Sequence, residues 1–460
     1  MTTQSIDAMH EKSSTISSCL ESIPLSSIRN VLPDKAIVTA CRQAGYEYRD
    51  RLLTPIVIVL HMLLAAIWPE ESFNASWQVL WSLFKSRYPS IQKPDPSRGT
   101  VSTARNRLPI QVWHNLFAWA SRQAQQFSGP WSRWRGHRIV LLDGTCVSMP
   151  DTPQLKAAFG APTGYKGTAR YPLARMVAMS LANTMTVLSY AVGGYRQDET
   201  TLAATLLGTL QKGDLLLADR HFAAAHFYVR YQQAGLEFLT RIHQRLKLSR
   251  IKRLYSYGAN DFVGRLKIGA LYRRNDPALP TWIQVRFIRA KFIIRGRMQT
   301  MWLVTSLLDA ERYPAAEIIA LYARRWRIEV LFRELKIGLS ADVLRSKTPE
   351  GIHKEIAARL TAMNVVRSIM LQAAAENKVE DPLRLSFVFA VRAILNFAPA
   401  LGMEPFWKLR SIYDAMLREI AAHQVEWRPG RNEPRMVRRD WKHYPMLTTT
   451  RAEWRKAYAA

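Results

Sequence analysis

Two aspartates and one glutamate in this chain sit where carboxylates can do chemistry. Asp143 follows the apolar run Ile139, Val140, Leu141 and Leu142 and precedes Gly144; Asp219 follows Leu215, Leu216, Leu217 and Ala218. Each reads as the end of a buried strand, where a carboxylate emerges at a strand-to-turn junction of the kind at which α/β sheets build their sites. Glu329 lies in YARRWRIEVLFRELK, read as one helix from Tyr322 to Lys336. At 100° per residue Tyr322, Arg325, Glu329 and Lys336 fall within roughly 60° of each other, a single stripe bearing a phenol, two cations and an acid. Three carboxylates converging from separate elements repel unless cations lie between them, and hard oxygen ligands select Mg²⁺ or Mn²⁺. Two such ions ~3.5–4 Å apart can activate a water or a 3′-OH against a phosphodiester. The flanking Arg and Lys suit an anionic polymer and would be wasted on a neutral substrate.

A plainer account stands beside this one. A lone aspartate after a strand usually caps a turn, and Glu329 could pair with Arg325 and Arg333, four residues away on either side, for about 0.3–0.5 kcal/mol each. Against it, Trp326, Ile328, Val330, Leu331 and Phe332 leave little of that helix facing water. His221, beside Asp219, reads as a structural neighbour, since a two-metal site needs no general base.

The elements that must position these groups are legible in outline. Residues 1–130 carry aromatic and Leu residues at helical spacing, through Trp77 to Phe84 and Val112 to Phe127. Between them KPDPSRGTVSTARNRL (Lys93 to Leu108) reads either as part of a helix-turn-helix or as a loop and a solvated helix. From Arg138 the texture turns to strands, in the order strand-strand-strand-helix-strand-helix-strand, an α/β core with a mixed sheet. About seventy basic, alternating residues then read as an all-β insertion before a long helix from Pro314 to about Gly338, and helices follow to about residue 425.

Composition bounds the partners. With 65 Lys plus Arg against 36 Asp plus Glu, the formal charge is +29, which points to nucleic acid. Cys19, Cys41 and Cys146 are too scattered for a disulfide framework or a paired-cysteine zinc site and read as reduced thiols. The apolar stretch Leu52 to Trp68 contains Pro55 and His61, falls short of the ~20 residues of a bilayer span and reads as a buried helix. The polar, Ser-rich start reads as lacking a signal peptide, so a cytoplasmic, nucleoid-associated location is expected.

Beyond these individual residues, the chain resembles a known family. The spacing Tyr322, Arg325, Glu329, Lys336 is similar to the Y-(2)-R-(3)-E-(6)-K signature of bacterial DDE transposases of the insertion-sequence type four (IS-four) family, and LLDGTCVSMPDTPQLKAAFG, GDLLLADRHF, FLTRI and LRSKTPEGIHKEIAARLTAMNVVR extend the resemblance over about residues 130 to 370. It implies an RNase H-like catalytic core interrupted by a β-rich insertion, with Asp143, Asp219 and Glu329 as catalytic ligands of two Mg²⁺ (or Mn²⁺) ions. It further implies that Tyr322, Arg325 and Lys336 grip the transposon-end backbone, that Arg241, Arg345 and Lys347 contact phosphates, and that Trp302 either stacks on a flipped base or is an ordinary strand tryptophan.

The expected organisation is a helical DNA-binding domain (1–130), the first part of the core (131–245), the β-rich insertion (246–312), the second part of the core with the Glu helix (313–400) and a basic helical region and tail (401–460). The expected partners are double-stranded DNA, as terminal inverted repeats and target, and a second copy of the chain in the synaptic complex. Two other readings remain: a domesticated, non-cutting DNA-binding protein, which the three intact carboxylates disfavour, and an RNase H-like nuclease without strand transfer.

Overall fold

The computed structural model describes residues 26–49, 52–68, 72–89, 95–129, 132–162, 171–243, 246–294 and 297–426. Cys19, the start of the Lys93–Leu108 segment and the Arg/Trp-rich end from Arg428 lie outside these residues.

Six helices come first: α1 (Ser26–Val31), α2 (Asp34–Gln43), α3 (Pro55–Ile67), α4 (Phe73–Arg87), α5 (Arg98–Arg107) and α6 (Ile110–Gln125). In α3 the Thr54 hydroxyl accepts from the Val57 N–H and Pro55 occupies the first turn, so the helix starts cleanly. All thirteen of its residues are buried, the outcome expected for an apolar stretch too short to span a bilayer. Among the described residues no helix is long and apolar enough to cross a membrane. Ser97 caps the basic helix α5, and Leu108 and Pro109 separate it from α6. Arg105 of α5 is turned inward, its guanidinium 3.9 Å from the Phe73 ring centre.

The sheet is built from β1 (Arg133–Trp134), β2 (His137–Ser148), β3 (Leu173–Leu181), β4 (Val187–Gly194), β5 (Leu215–Ala218), β6 (Glu237–Arg241), β7 (Lys252–Gly258), β8 (Asp261–Lys267), β9 (Trp282–Ile294) and β10 (Arg297–Thr305). Its order is β4-β3-β2-β5-β6-β10-β9-β8-β7, with β1 paired to β2. Strands β2, β3 and β4 are antiparallel neighbours, while β5 and β6 run parallel to β2. A three-strand meander followed by two parallel strands on its other edge is the RNase H-like arrangement. The β-rich segment continues the same sheet, since Leu303 in β10 pairs with Arg241 in β6. It is not all-β, because a short helix interrupts it at residues 270–275. Connecting helices are α7 (Pro153–Phe159), α8 (Glu199–Leu206), α9 (Ala225–Gln233) and that short α10 (Ala270–Asn275).

The helix read as continuous from Pro314 to Gly338 is segmented: α11 (Ala315–Ala323), a 3₁₀ turn (Arg324–Trp326), α12 (Arg327–Arg333) and a π turn (Glu334–Gly338). The uniform 100° wheel therefore does not hold from Tyr322 to Lys336. Contacts on either side account for the changes of pitch. Arg325 is drawn toward the sheet, and Glu334 is tied to Arg367. The long α13 (Pro349–Glu376) then packs against α3 and α6, and α14 (Phe387–Met403) and α15 (Phe406–Ala422) follow it.

Strand alternation sorts the core into two layers. Ile139, Leu141, Leu215 and Leu217 join the helices α1–α6, α11, α12 and α13 on one face. Val140, Leu142, Leu216 and Ala218 join α8, α9 and the β8–β9 side chains on the other.

Candidate active site

The same alternation aims the two aspartates. Asp143 and Asp219 share the parity of Ile139, Leu141, Leu215 and Leu217, so both face the layer that contains α11 and α12. In the parallel pairing of β2 and β5, Leu142 stands opposite Ala218, so the next residue on each strand is an aspartate. Asp143 does not end its strand as expected: β2 runs on to Ser148 because residues 144–148 still pair with β3, opposite Val177 to Leu173. It is β5 that stops, and Asp219 caps a 3₁₀ turn by accepting from the His221 N–H at 2.7 Å. Asp219 thus does what the plain reading allowed and still lies beside Asp143.

Arg325 sits over this pair. Its Nη1 is 3.7 Å from Asp143 Oδ2, and its Nη2 donates to Glu329 Oε1 at 3.2 Å. The cation is buried, whereas the Glu329 side chain is 46% exposed. Glu329 pairs with Arg325 and not, as the wheel also allowed, with Arg333, which points outward. Burial pushes the Asp143 carboxyl up to about 6; the Asp219 and Glu329 charges add to the rise, while the Gly144 N–H at 2.8 Å and Arg325 oppose it. Among the described residues no three His, Cys, Asp or Glu side chains are gathered closely enough to hold a metal ion. Asp143 and Asp219 are neighbours, and Arg325 stands between Asp143 and Glu329.

Tyr322 lies at the back of the site, buried, its hydroxyl donating to the Ala218 carbonyl at 3.5 Å. Burial raises this phenol to about 12, against the pull of Arg325 and Arg241. Arg241, at the end of β6, is thereby brought into the same field. Lys336 lies half-buried in the π turn. Trp302 is half-buried in β10 against the Phe262 ring, with centres 5.8 Å apart, in the core layer on the opposite face of the sheet from the two aspartates. Arg345 and Lys347 fall on the loop before α13, Arg345 half-buried and Lys347 exposed.

One group has no signal in the sequence. A Cβ on Gly144 would stand 2.5 Å from the carboxylate carbon of Glu199, so Glu199 rests on the backbone beside Asp143. Glu199 is also 3.6 Å from Arg175 and 4.0 Å from His221, whose ring is 3.3 Å from Asp198. An acid in the first turn of a helix is commonplace, so local pattern does not single Glu199 out.

The fold and the paired carboxylates define an RNase H-like protein with an acidic site under a basic helix. A family model described as a transposase DDE domain matches residues 134–365. Over 361 residues the chain is 27% identical to the transposase InsG for insertion sequence element IS4 of Escherichia coli K12, covering 76% of this chain and 79% of that protein. It is 29% identical over 147 residues to the putative transposase InsZ of the same organism, covering 30% of this chain and 47% of that one. A cryo-EM structure of the piggyBac transposase synaptic complex with hairpin DNA is similar at 10% identity and a TM-score of 0.43, covering 86% of this chain and 85% of that one. The chain belongs to the DDE transposase family, in the branch related to the IS4 element, and is a transposase, an enzyme that acts on DNA.

Proposed function

We propose that this transposase nicks the ends of its own element by hydrolysis and joins the freed 3′-OH to target DNA, with Asp143, Asp219 and Glu329 as the catalytic carboxylates. The observation that carries this reading is the register of Leu142 against Ala218, which sets two carboxylates side by side under Arg325 and Glu329. An all-oxygen, anionic donor set fits Mg²⁺ or Mn²⁺, and the Asp143 carboxyl, raised first by burial and then by the Asp219 and Glu329 charges, is a group whose charged form a cation would stabilise. Such ions, when bound, activate the attacking oxygen and stabilise the leaving one.

The protein's own part is to hold charge in place. Arg325 pairs with both Asp143 and Glu329, and a DNA phosphate would compete with both for the same guanidinium. Handing Arg325 to the phosphate releases Glu329 toward the two aspartates, which couples DNA binding to completion of the carboxylate set. Tyr322 supports this face by packing under it and bonding to the residue before Asp219. Lys336, Arg241, Arg345 and Lys347 supply further phosphate contacts, whereas Trp302, packed on Phe262 across the sheet from the carboxylates, takes the other reading, that of an ordinary strand tryptophan. The helices in residues 1–130, with α5 as a basic element, recognise the terminal repeat. The active assembly is a homodimer, because two ends must be joined in one event.

The test is incubation of the full chain with duplexes of the element's terminal repeats and Mg²⁺. End-specific nicks and joined products are expected, and neither should form with Glu329→Ala. Nicking that survives Glu329→Ala would overturn the assignment, and cutting without end preference or joining would favour a nuclease.

A further inference from the structure

The carboxylate of Glu355, in the second turn of α13, is 2% exposed and is spent on the loop ahead of its own helix. The Arg345 N–H donates to its Oε1 and Oε2 at 3.1 and 3.0 Å, and the Ser346 N–H to Oε2 at 2.9 Å. Arg359, equally buried, donates one Nη to Glu355 Oε1 at 3.0 Å and the other to the Leu339 carbonyl just past the π turn. The preceding residue, Lys354, is also buried and donates to the Asn106 carbonyl of α5 at 2.7 Å. A charge this deep is retained only when hydrogen bonds satisfy it, and here most of them come from one short stretch of backbone.

The other end of that stretch is fixed to the catalytic strand. Ser148, the last residue of β2, donates its N–H to the Asp342 carbonyl at 2.8 Å and accepts from the Leu344 N–H at 2.8 Å, a parallel bridge between Ser148 and Val343. Residues 342–346 are therefore clamped between β2 and Glu355. The clamp lies five residues beyond Asp143 on the same strand, on the order of 17 Å away at about 3.3 Å per residue, a span of about five nucleotides at 3.4 Å each.

From this we infer that Glu355 is a positioning residue that sets Arg345 and Lys347 at a fixed distance from the carboxylates, so that the loop grips DNA phosphates about five nucleotides from the scissile bond. The inference rests on the reading of Arg345 and Lys347 as phosphate contacts given above. Glu355 touches no DNA; it acts by holding the backbone that carries them. Its neighbours Arg359 and Lys354 tie the same point to the end of the catalytic helix and to α5, so the three DNA-facing elements share one buried anchor.

The experiment measures binding of the full chain to a duplex of the element's terminal repeat at a series of salt concentrations. Removing one phosphate interaction lowers the slope of log K against log salt by about 0.9. Arg345→Gln and Lys347→Gln are each expected to lower it by about that much, and Glu355→Gln by about twice that amount, since both cations lose their position. Combining Glu355→Gln with Lys347→Gln should lower it no further. Glu355→Asp, which keeps the charge and withdraws it by one methylene, is the second variant in case Glu355→Gln does not fold; it should give an intermediate slope and about tenfold faster exchange of the Arg345 and Ser346 amides. A wild-type slope in Glu355→Asp or Glu355→Gln, or decreases that add in full to that of Lys347→Gln, would overturn the inference while leaving the phosphate reading intact. An unchanged slope in both Arg345→Gln and Lys347→Gln would instead overturn the phosphate reading and the inference with it.

Discussion

Arg325 bridges two carboxylates from different elements, standing 3.7 Å from Asp143 of the sheet and 3.2 Å from Glu329 one helical turn ahead of it. A lysine at 325 would keep the charge but lose the planar fork that reaches both. Arg325→Lys is expected to slow single-turnover nicking of end DNA by about 100-fold, in the range typical of removing one electrostatic contact from a reacting centre. Arg325→Ala should slow it further. Unchanged rates in both would show that the bridge has no part in the reaction.

The pH dependence follows from Asp143. Its folded pKa of about 6 lies above the ordinary carboxyl value, so the folded chain holds this proton more tightly than the unfolded one. The resulting stabilisation is complete below about pH 4 and is lost as pH rises through 6, about 3 kcal/mol in all. Asp143→Asn removes the titration. In chelator, urea unfolding should therefore show the variant gaining about 3 kcal/mol on the parent between about pH 4 and pH 8. Parallel profiles would contradict the assignment. At pH 8 added Mg²⁺ should raise the melting temperature of the parent and leave Asp143→Asn much less affected.

Gly144 and Glu199 make a packing pair. In Gly144→Ala the new methyl meets the end of the flexible Glu199 side chain, which swings away, at a cost of about 1 kcal/mol or less. Adding Glu199→Ala should return most of that loss, a coupling that a double-mutant cycle measures directly. Simple additivity of the two changes would mean that the carboxylate does not rest on Gly144.

Asp261 and Arg286 hold the β-rich segment to the start of the Glu helix. Arg286 is wholly buried; its Nε donates to Asp261 Oδ1 at 2.7 Å, and its Nη1 reaches the Tyr313 carbonyl at 2.8 Å. Asp261→Ala strands that cation and is expected to cost about 3–5 kcal/mol in denaturant unfolding. A loss under about 1 kcal/mol would show that the pair is dispensable.

Much of this site was written in local sequence. Apolar runs ending in Asp143 and Asp219, and the spacing from Tyr322 to Lys336, sufficed to single out three candidate carboxylates and to expect a mixed sheet with a basic helix over it. Local pattern misjudged Asp143 as a strand end because it cannot show that β3 keeps pairing with β2 after β5 has stopped. It also drew one straight helix where Arg325 and Glu334, pulled toward partners far along the chain, change the pitch.

The sequence by itself determined which residue types are available and the periodicity with which each element presents them, since alternation and helical repeat are properties of neighbours along the chain. Tertiary structure alone decided that Leu142 meets Ala218, that Arg325 spans Asp143 and Glu329, that Glu199 lies against Gly144 and that Glu355 binds the Arg345 N–H. Apart from Arg325–Glu329 and the bonds of Glu355 to the loop ahead of its helix, these are contacts between residues far apart in the chain, and their strength comes from burial and register, which exist only once the sheet and the helices above it have closed on one another.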